Sequence, residues 1–275
     1  MQNYSKITNF ATYYFINLKN LVVEIYYLVL KVMTALAIVV YIALQYFKAG
    51  YGFLRTKSWG PAIPNKIGWV IMECPVFFAM LYLFLTSPRE LNLTIVIITL
   101  LFFAHYFQRS FIFPFLIKGK SKMPISIIVM GITFNLINAY MIGKWLYEYC
   151  PEDSYTIEWL YSPQFIIGTI IFLFGMFVNI QSDSIVRHLR KPGDTKHYIP
   201  KGGMFKYVSS ANYFGEITEW FGFAVLTWSL PGVVFCIWTF ANLAPRANSL
   251  YDKYTEEFGE EFTKLKRKRV LPFIY

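Results

Sequence analysis

Apolar residues run along this chain in long blocks, separated by short polar connections, rather than alternating with polar positions. Several blocks approach the ~20 residues that cross a bilayer as a helix. They fall near 21–47, 67–86, 91–117, 124–147, 163–185, 207–228 and 230–245. The expected fold is all-α, a polytopic membrane protein of about seven transmembrane helices. The first block is overlong and carries Glu24 and Lys31, which predicts a tilted helix or an interfacial start. Only "SLPG" at 229–232 separates the last two blocks. No repeat, low-complexity tract or linker interrupts the pattern, so 1–275 is read as one integral membrane domain. The first 20 residues are mixed and polar and show no cleavable-signal pattern.

Polar residues inside the blocks are not scattered. At ~100° per residue, Asn179, Asp183, Arg187 and Arg190 fall within one ~80° sector. Asn212, Glu216 and Glu219 make a second stripe within ~60°. Tyr106 and Arg109 are i, i+3 neighbours in "HYFQRSF", and Glu73 sits inside "GWVIMECPVFF". One account is hydrogen bonding between helices, with Asp183 pairing Arg109 or Arg187. Three stripes and a buried glutamate favour the other account, a polar cavity open to the cytosol. Basic and amide groups together suit a phosphate-bearing ligand. "KPGDTKHYIPKGGMF" adds glycines and a turn at the mouth, but it is no GxGxxG motif and no Rossmann strand–turn–helix surrounds it.

Composition agrees with the membrane reading: 56% of residues are hydrophobic and the mean hydropathy is +0.42, more than a soluble core of this length needs. The net charge of +10 is distributed unevenly. Loops at 48–66, 118–123 and 186–206 and the terminal "KLKRKR" are basic, whereas the 148–158 loop is acidic. With seven spans, every basic loop falls on one side. The positive-inside rule makes that side, the C-terminus and the cavity mouth cytosolic, with Cys150 opposite. Lys6 and Lys19 then lie outside, against the trend. The expected location is the endoplasmic reticulum membrane in a eukaryote or the inner membrane in a bacterium. Membrane lipids, including anionic ones at the basic loops, are expected partners; nucleic acid and an obligate protein partner are not. Cys74, Cys150 and Cys236 show neither metal spacing nor a disulfide framework.

"LRKPGD…YIPKGGMFKYVSSANYFGEITEWFGFAVLTWSLPG", "RANSLYDKY" and the terminal "LPFIY" closely resemble the steroid 5α-reductase family. Its members are membrane enzymes that use NADPH to saturate a carbon–carbon double bond conjugated to a ketone. The resemblance runs from about Gly50 onward and is densest over 179–240. "HYFQRSF" is similar to the segment with the family's active-site tyrosine, which implies Tyr106, and "GWVIMECP" to the segment with its glutamate, which implies Glu73. The resemblance further implies that Asn179, Asp183, Arg190, Asn212, Glu216, Arg246 and Tyr254 line the cofactor site, with Arg109 and Lys120 near the phosphates. Trp69 and Met72 fall on the substrate side. Two positions depart from the family: "ANSLYDK" lacks the histidine usual between the positions of Arg246 and Tyr254, and Met72 stands where a glutamine is common.

The implied activity is NADPH-dependent reduction of the 4,5 double bond of 3-oxo-Δ4 steroids to 5α-dihydrosteroids. Hydride adds to the β-carbon, and charge builds on the ketone oxygen, where positioned donors must meet it. Tyr106 and Glu73 would both hydrogen-bond that oxygen, while water would supply the α-carbon proton. Trp69, Phe77, Phe111 and Phe115 are expected near an aromatic-lined cavity for the rigid lipid. Three alternatives stay open: a related reductase of very-long-chain enoyl-CoA or polyprenal, a membrane methyltransferase using S-adenosylmethionine, and a seven-helix receptor or transporter.

Overall fold

The computed structural model describes residues 2–47, 50, 54, 57–119, 121–189, 194 and 196–275, with side chains described from residue 17 onward. Its helices are α1 (Gln2–Tyr46), α2 (Asn65–Leu85), α3 (Leu93–Phe107), α4 (Phe113–Leu116), α5 (Ile125–Lys144), α6 (Pro163–His188), α7 (Ala211–Thr227), α8 (Leu230–Phe258) and α9 (Glu260–Thr263). Among the described residues, five segments are long and apolar enough to cross a membrane: Asn17–Tyr46, Asn65–Leu85, Leu93–Leu116, Ile125–Tyr149 and Pro163–His188. The chain is an all-α, polytopic membrane protein. The last two expected blocks form α7, of 17 residues, and α8, of 29. α8 continues beyond the expected end at 245, with Pro245 inside it. A proline in a helix removes one backbone bond and bends the axis without necessarily ending the helix.

Local sequence explains where the helices begin. Asn92, Ser162 and Ser229 each accept a backbone N–H of the following first turn, from Ile95, Phe165 and Gly232. Pro163 and Pro231 occupy early positions whose N–H would have no helical partner. The "SLPG" connection closes because Trp228 takes a left-handed conformation, φ 45°, and Ser229 caps α8 at once. Two strands, β1 (Ala62–Pro64) and β2 (Lys122–Pro124), pair antiparallel with Ile63 opposite Met123. Each runs directly into a helix, so the ladder sets the starts of α2 and α5 side by side.

The helices enclose a core of Val76, Met80, Ile98, Phe102, Ile142, Phe172 and Phe223. α1 is tied across it by Tyr26 Oη donating to the Met141 carbonyl and by Trp238 Nε1 donating to that of Met33. α6 and α7 pack with their backbones nearly touching. A Cβ at Gly175 would lie 2.2 Å from the Glu219 nitrogen, and one at Gly222 would lie 2.3 Å from that of Phe172. Small residues permit such an approach in membranes. Gly175→Ala is therefore expected to force the two helices apart and cost about 1–3 kcal/mol, read as a lower melting temperature in detergent. An unchanged melting temperature would show that α6 and α7 have slack at this point. This contact matters for the site because both polar stripes lie on these two helices.

Candidate active site

One cavity of about 1670 Å³ opens among α1, α2, α3, α5, α6, α7 and α8. Ten of the thirteen site residues expected from sequence line it: Trp69, Met72, Glu73, Tyr106, Arg109, Asp183, Asn212, Glu216, Arg246 and Tyr254. Asn179 stands behind the wall. Its Nδ2 donates to the Asn212 carbonyl at 2.9 Å and to Glu216 Oε2 at 3.4 Å, holding two lining residues in place. Lys120 and Arg190 lie outside the described residues.

The polar wall is built on Arg109. α3 ends in a π-helical turn, Gln108–Ile112, that carries this arginine. Such wide turns are common at functional sites, because they redirect side chains that a continuing α-helix would place elsewhere. Arg109 Nη1 lies 3.1 Å from Asp183 Oδ2, and Nη2 lies 3.6 Å from Glu216 Oε2. Its guanidinium is flanked by aromatic rings, with the central carbon 4.8 Å from the Trp69 centroid and 4.5 Å from that of Phe113. Asn212 Nδ2 donates to the other Asp183 oxygen at 3.2 Å. Of the two pairings expected for Asp183, the structure forms the one with Arg109.

Further along the wall, Arg246 Nε donates to Tyr213 Oη at 2.6 Å. Tyr254 stacks on Phe262, with ring centroids 5.3 Å apart. Arg187 also lines the cavity, and its Nη1 is buried without a hydrogen-bond partner among the described residues. Arg187 was legible as part of the α6 stripe but was assigned no role. Glu219 departs from its stripe-mates. It is fully buried, and its Oε1 meets His105 Nδ1 at 2.8 Å.

Glu73 and Tyr106 face the cavity from α2 and α3. Tyr106 is only 3% exposed and packs on Phe102 and Trp220. Two asparagines of α5 reach this pair. Asn135 Nδ2 contacts Glu73 Oε2 at 3.3 Å, and Asn138 Nδ2 contacts Tyr106 Oη at 3.3 Å. Neither is among the site residues expected from sequence, although an amide in an apolar span is the same kind of signal as Glu73. The apolar part of the lining includes Met33, Leu36, Phe134 and Trp238. Trp69 and Phe115 belong to the lining as expected; Phe77 and Phe111 do not. Those two rings pack edge-on against each other at 5.4 Å and also contact Phe78 and Phe107, which satisfies their apolar faces away from the cavity.

A family model described as 3-oxo-5-alpha-steroid 4-dehydrogenase matches residues 121–275. Steroid 5-alpha-reductase DET2 of Gossypium hirsutum is 38% identical over 244 residues, covering 87% of this chain and 93% of that protein. The Arabidopsis thaliana protein of the same name is 37% identical over 240 residues, covering 85% and 90%. The 3-oxo-5-alpha-steroid 4-dehydrogenase 1 of Homo sapiens is 39% identical over 227 residues, covering 82% and 86%. A match over more than half the chain, together with relatives this similar over most of their length, settles the classification: the chain belongs to the 3-oxo-5-alpha-steroid 4-dehydrogenase family of oxidoreductases.

Proposed function

We propose that the chain, acting as one reductase domain, uses NADPH to reduce the 4,5 double bond of a 3-oxo-Δ4 steroid, giving the 5α-dihydrosteroid. The carrying observation is that one cavity holds both the Glu73–Tyr106 pair and the Arg109–Asp183–Glu216–Asn212 wall. Its volume of about 1670 Å³ exceeds the ~300–1,000 Å³ of a usual small-molecule pocket, leaving room for a dinucleotide and a steroid together. The donor set fits the cofactor. Asn212 and Glu216 offer amide and carboxylate partners for the carboxamide and ribose, Tyr254 offers a ring, and Arg187 and Arg246 offer cations for phosphates. Among the described residues the Nη1 of Arg187 has no hydrogen-bond partner, so it is a donor a phosphate could satisfy. Asp183 completes the wall and Asn179 supports it, and Lys120 and Arg190 are proposed as further cations for the cofactor phosphates.

NADPH, when bound, supplies the hydride for the β-carbon of the enone. Arg109 bridges Asp183 and Glu216, and Arg187 adds a second cation beside Asp183, so neither carboxylate of the wall is buried without a cation near it. Tyr106 donates its hydroxyl proton in a hydrogen bond to the ketone oxygen as charge builds there, and a protonated Glu73 adds a second donor. Trp69 and Met72, with the apolar residues from α1 and α5, exclude water from the steroid's ring system. The α-carbon proton comes from water.

The test is a cofactor titration in detergent. Asn212→Ala is expected to weaken NADPH affinity by about 1–3 kcal/mol, the cost of losing a charged hydrogen bond or leaving its partner unpaired. Wild-type protein that binds no NADPH, while melting cooperatively, would overturn the proposal.

The proposed topology places the C-terminus and the basic loops in the cytosol and the 148–158 loop on the other side, within the endoplasmic reticulum or bacterial inner membrane. Cys150 is a poor reporter of it. Burial pushes its thiol up, and Arg89 donates to both its sulfur and its carbonyl. Exposed Asp153 is the better site. An Asp153→Cys variant in sealed microsomes is expected to resist an impermeant maleimide until the membrane is opened. Labelling from the cytosolic face beyond the wild-type background would contradict the topology.

A further inference from the structure

The α5 segment "FNLINAY" carries two amides, Asn135 and Asn138, in a helix that is otherwise apolar here. At i, i+3 they share one face of the helix. That face is buried: Asn135 is 5% exposed and Asn138 is fully buried. A polar group in such a place is costly unless it is partnered. Their partners are specific. Asn135 Nδ2 donates to the Met72 carbonyl at 2.8 Å and contacts Glu73 Oε2 at 3.3 Å. Asn138 Nδ2 donates to Tyr106 Oη at 3.3 Å. One helix therefore serves both groups that face the substrate ketone in the proposed reaction.

From this geometry we infer that Asn138 and Asn135 are positioning residues for enone reduction: Asn138 fixes the direction of the Tyr106 hydroxyl proton, and Asn135 fixes the Glu73 carboxyl. The inference rests on the roles proposed above for Tyr106 and Glu73.

A phenol has one proton to give. When Asn138 donates to Tyr106 Oη it occupies an acceptor position on that oxygen, so the hydroxyl hydrogen turns away from α5. An accepted hydrogen bond also polarises the O–H and makes it a better donor, and the effect is larger in a low-dielectric interior. Asn135 acts on the neighbouring group by another route. Its amide bridges the Met72 carbonyl and the Glu73 side chain, so the carboxyl is referenced to the α2 backbone one residue away. Pro75 lies two residues beyond Glu73 inside the same helix. Because a proline cannot bond the carbonyl four residues back, this stretch of α2 is weaker than a continuous helix. An external amide is well placed to steady it. Met72 itself points at α5, where a Cβ on Gly131 would come within 2.4 Å of its Cγ. Its thioether fills the interhelical gap, and the amide beside Glu73 is the one supplied by α5.

A purely structural asparagine would tie α5 to α3 and nothing more. A double-mutant cycle on the full chain in detergent separates the two roles, read as single-turnover reduction of a 3-oxo-Δ4 steroid at saturating NADPH. Asn138→Leu keeps the volume and removes the donor. It is expected to slow the chemical step about tenfold when Tyr106 is present, the scale of one lost hydrogen bond. In the Tyr106→Phe background the same change should do almost nothing, because there is no hydroxyl left to direct. Asn135→Leu should likewise couple to Glu73→Gln and remain additive with Tyr106→Phe. NADPH affinity should not move. Asn138→Ser, whose hydroxyl is too short to reach Oη, should repeat the loss and serves if the leucine variant does not accumulate. Losses that multiply independently of Tyr106, or an unaltered rate, would overturn the inference while leaving Tyr106 in its role. A normal rate for Tyr106→Phe alone would overturn that role and the inference together.

Discussion

Tyr106→Phe is expected to lower kcat by about 10²–10³-fold, the scale for losing one donor to a developing oxyanion. The change removes a single hydroxyl and keeps the ring. Packing against Phe102, His105 and Trp220 depends on that ring and should survive. Stability should fall by about 1–3 kcal/mol, because the buried Asn138 amide loses its Tyr106 partner. NADPH affinity should move little, because the Arg109–Asp183–Glu216 wall contains no group of Tyr106. Glu73→Gln is isosteric and still carries a donor, so it should be milder than Glu73→Ala, which also leaves Asn135 without its side-chain partner. Single-turnover hydride transfer at saturating NADPH, beside a separate cofactor titration, checks all three variants. A Tyr106→Phe enzyme that turns over normally would remove the ketone donor from the account. One that loses NADPH binding instead would move Tyr106 into the cofactor pocket.

Arg109→Ala should damage both the fold and the site. Arg109 is 8% exposed, and its guanidinium lies between two buried or half-buried carboxylates and two aromatic rings. Without it, Asp183 and Glu216 lose the cation that bridges them, and Arg187 stays beside Asp183 alone. Removing one partner of a buried ionic group costs about 3–5 kcal/mol, because the other is left uncompensated. The expected result is a large fall in melting temperature and loss of NADPH binding at concentrations that saturate the wild type. Arg109→Lys restores the charge but not the fork or the stacking, so it should recover only part of the stability. If Arg109→Ala melts like the wild type, the triad carries no net structural energy. If that variant also binds NADPH normally, the wall is not the cofactor site.

The two carboxylates meet this arginine for reasons only half visible in the sequence. Helical spacing identifies the faces: Asn179, Asp183 and Arg187 on α6, Asn212 and Glu216 on α7. It does not say which face meets which. That is decided by the close approach at Gly175 and Gly222 and by the π-helical turn that presents Arg109, both of which bring together groups more than 25 residues apart. The same limit explains Glu219. It falls within the same ~60° sector as Glu216, at the opposite edge, and nearly one turn further along α7 it meets His105 rather than the cavity. Phe77 and Phe111 were indistinguishable in sequence from Trp69 and Phe115, since an aromatic residue in an apolar helix carries no mark of whether it faces a cavity or another ring. α8 outran its expected end because hydropathy falls after Leu243, while the helix continues with a polar face that bears Arg246 and Tyr254. Asn135 and Asn138 were legible as residue types; their partners lie on α2 and α3 and were not.

The central claim is that one cavity delivers hydride from NADPH to the β-carbon of a steroid enone held by Tyr106 and Glu73. Its most direct test is to incubate purified protein in detergent with testosterone and NADPH deuterated at the transferring C4 position, then locate the label by mass spectrometry and NMR. The account predicts one deuterium per product, at C5 on the α face, with an intact 3-ketone, and a rate that collapses in Tyr106→Phe. Cofactor oxidation without deuterium at C5, or label on the carbinol carbon of a reduced ketone, would contradict it.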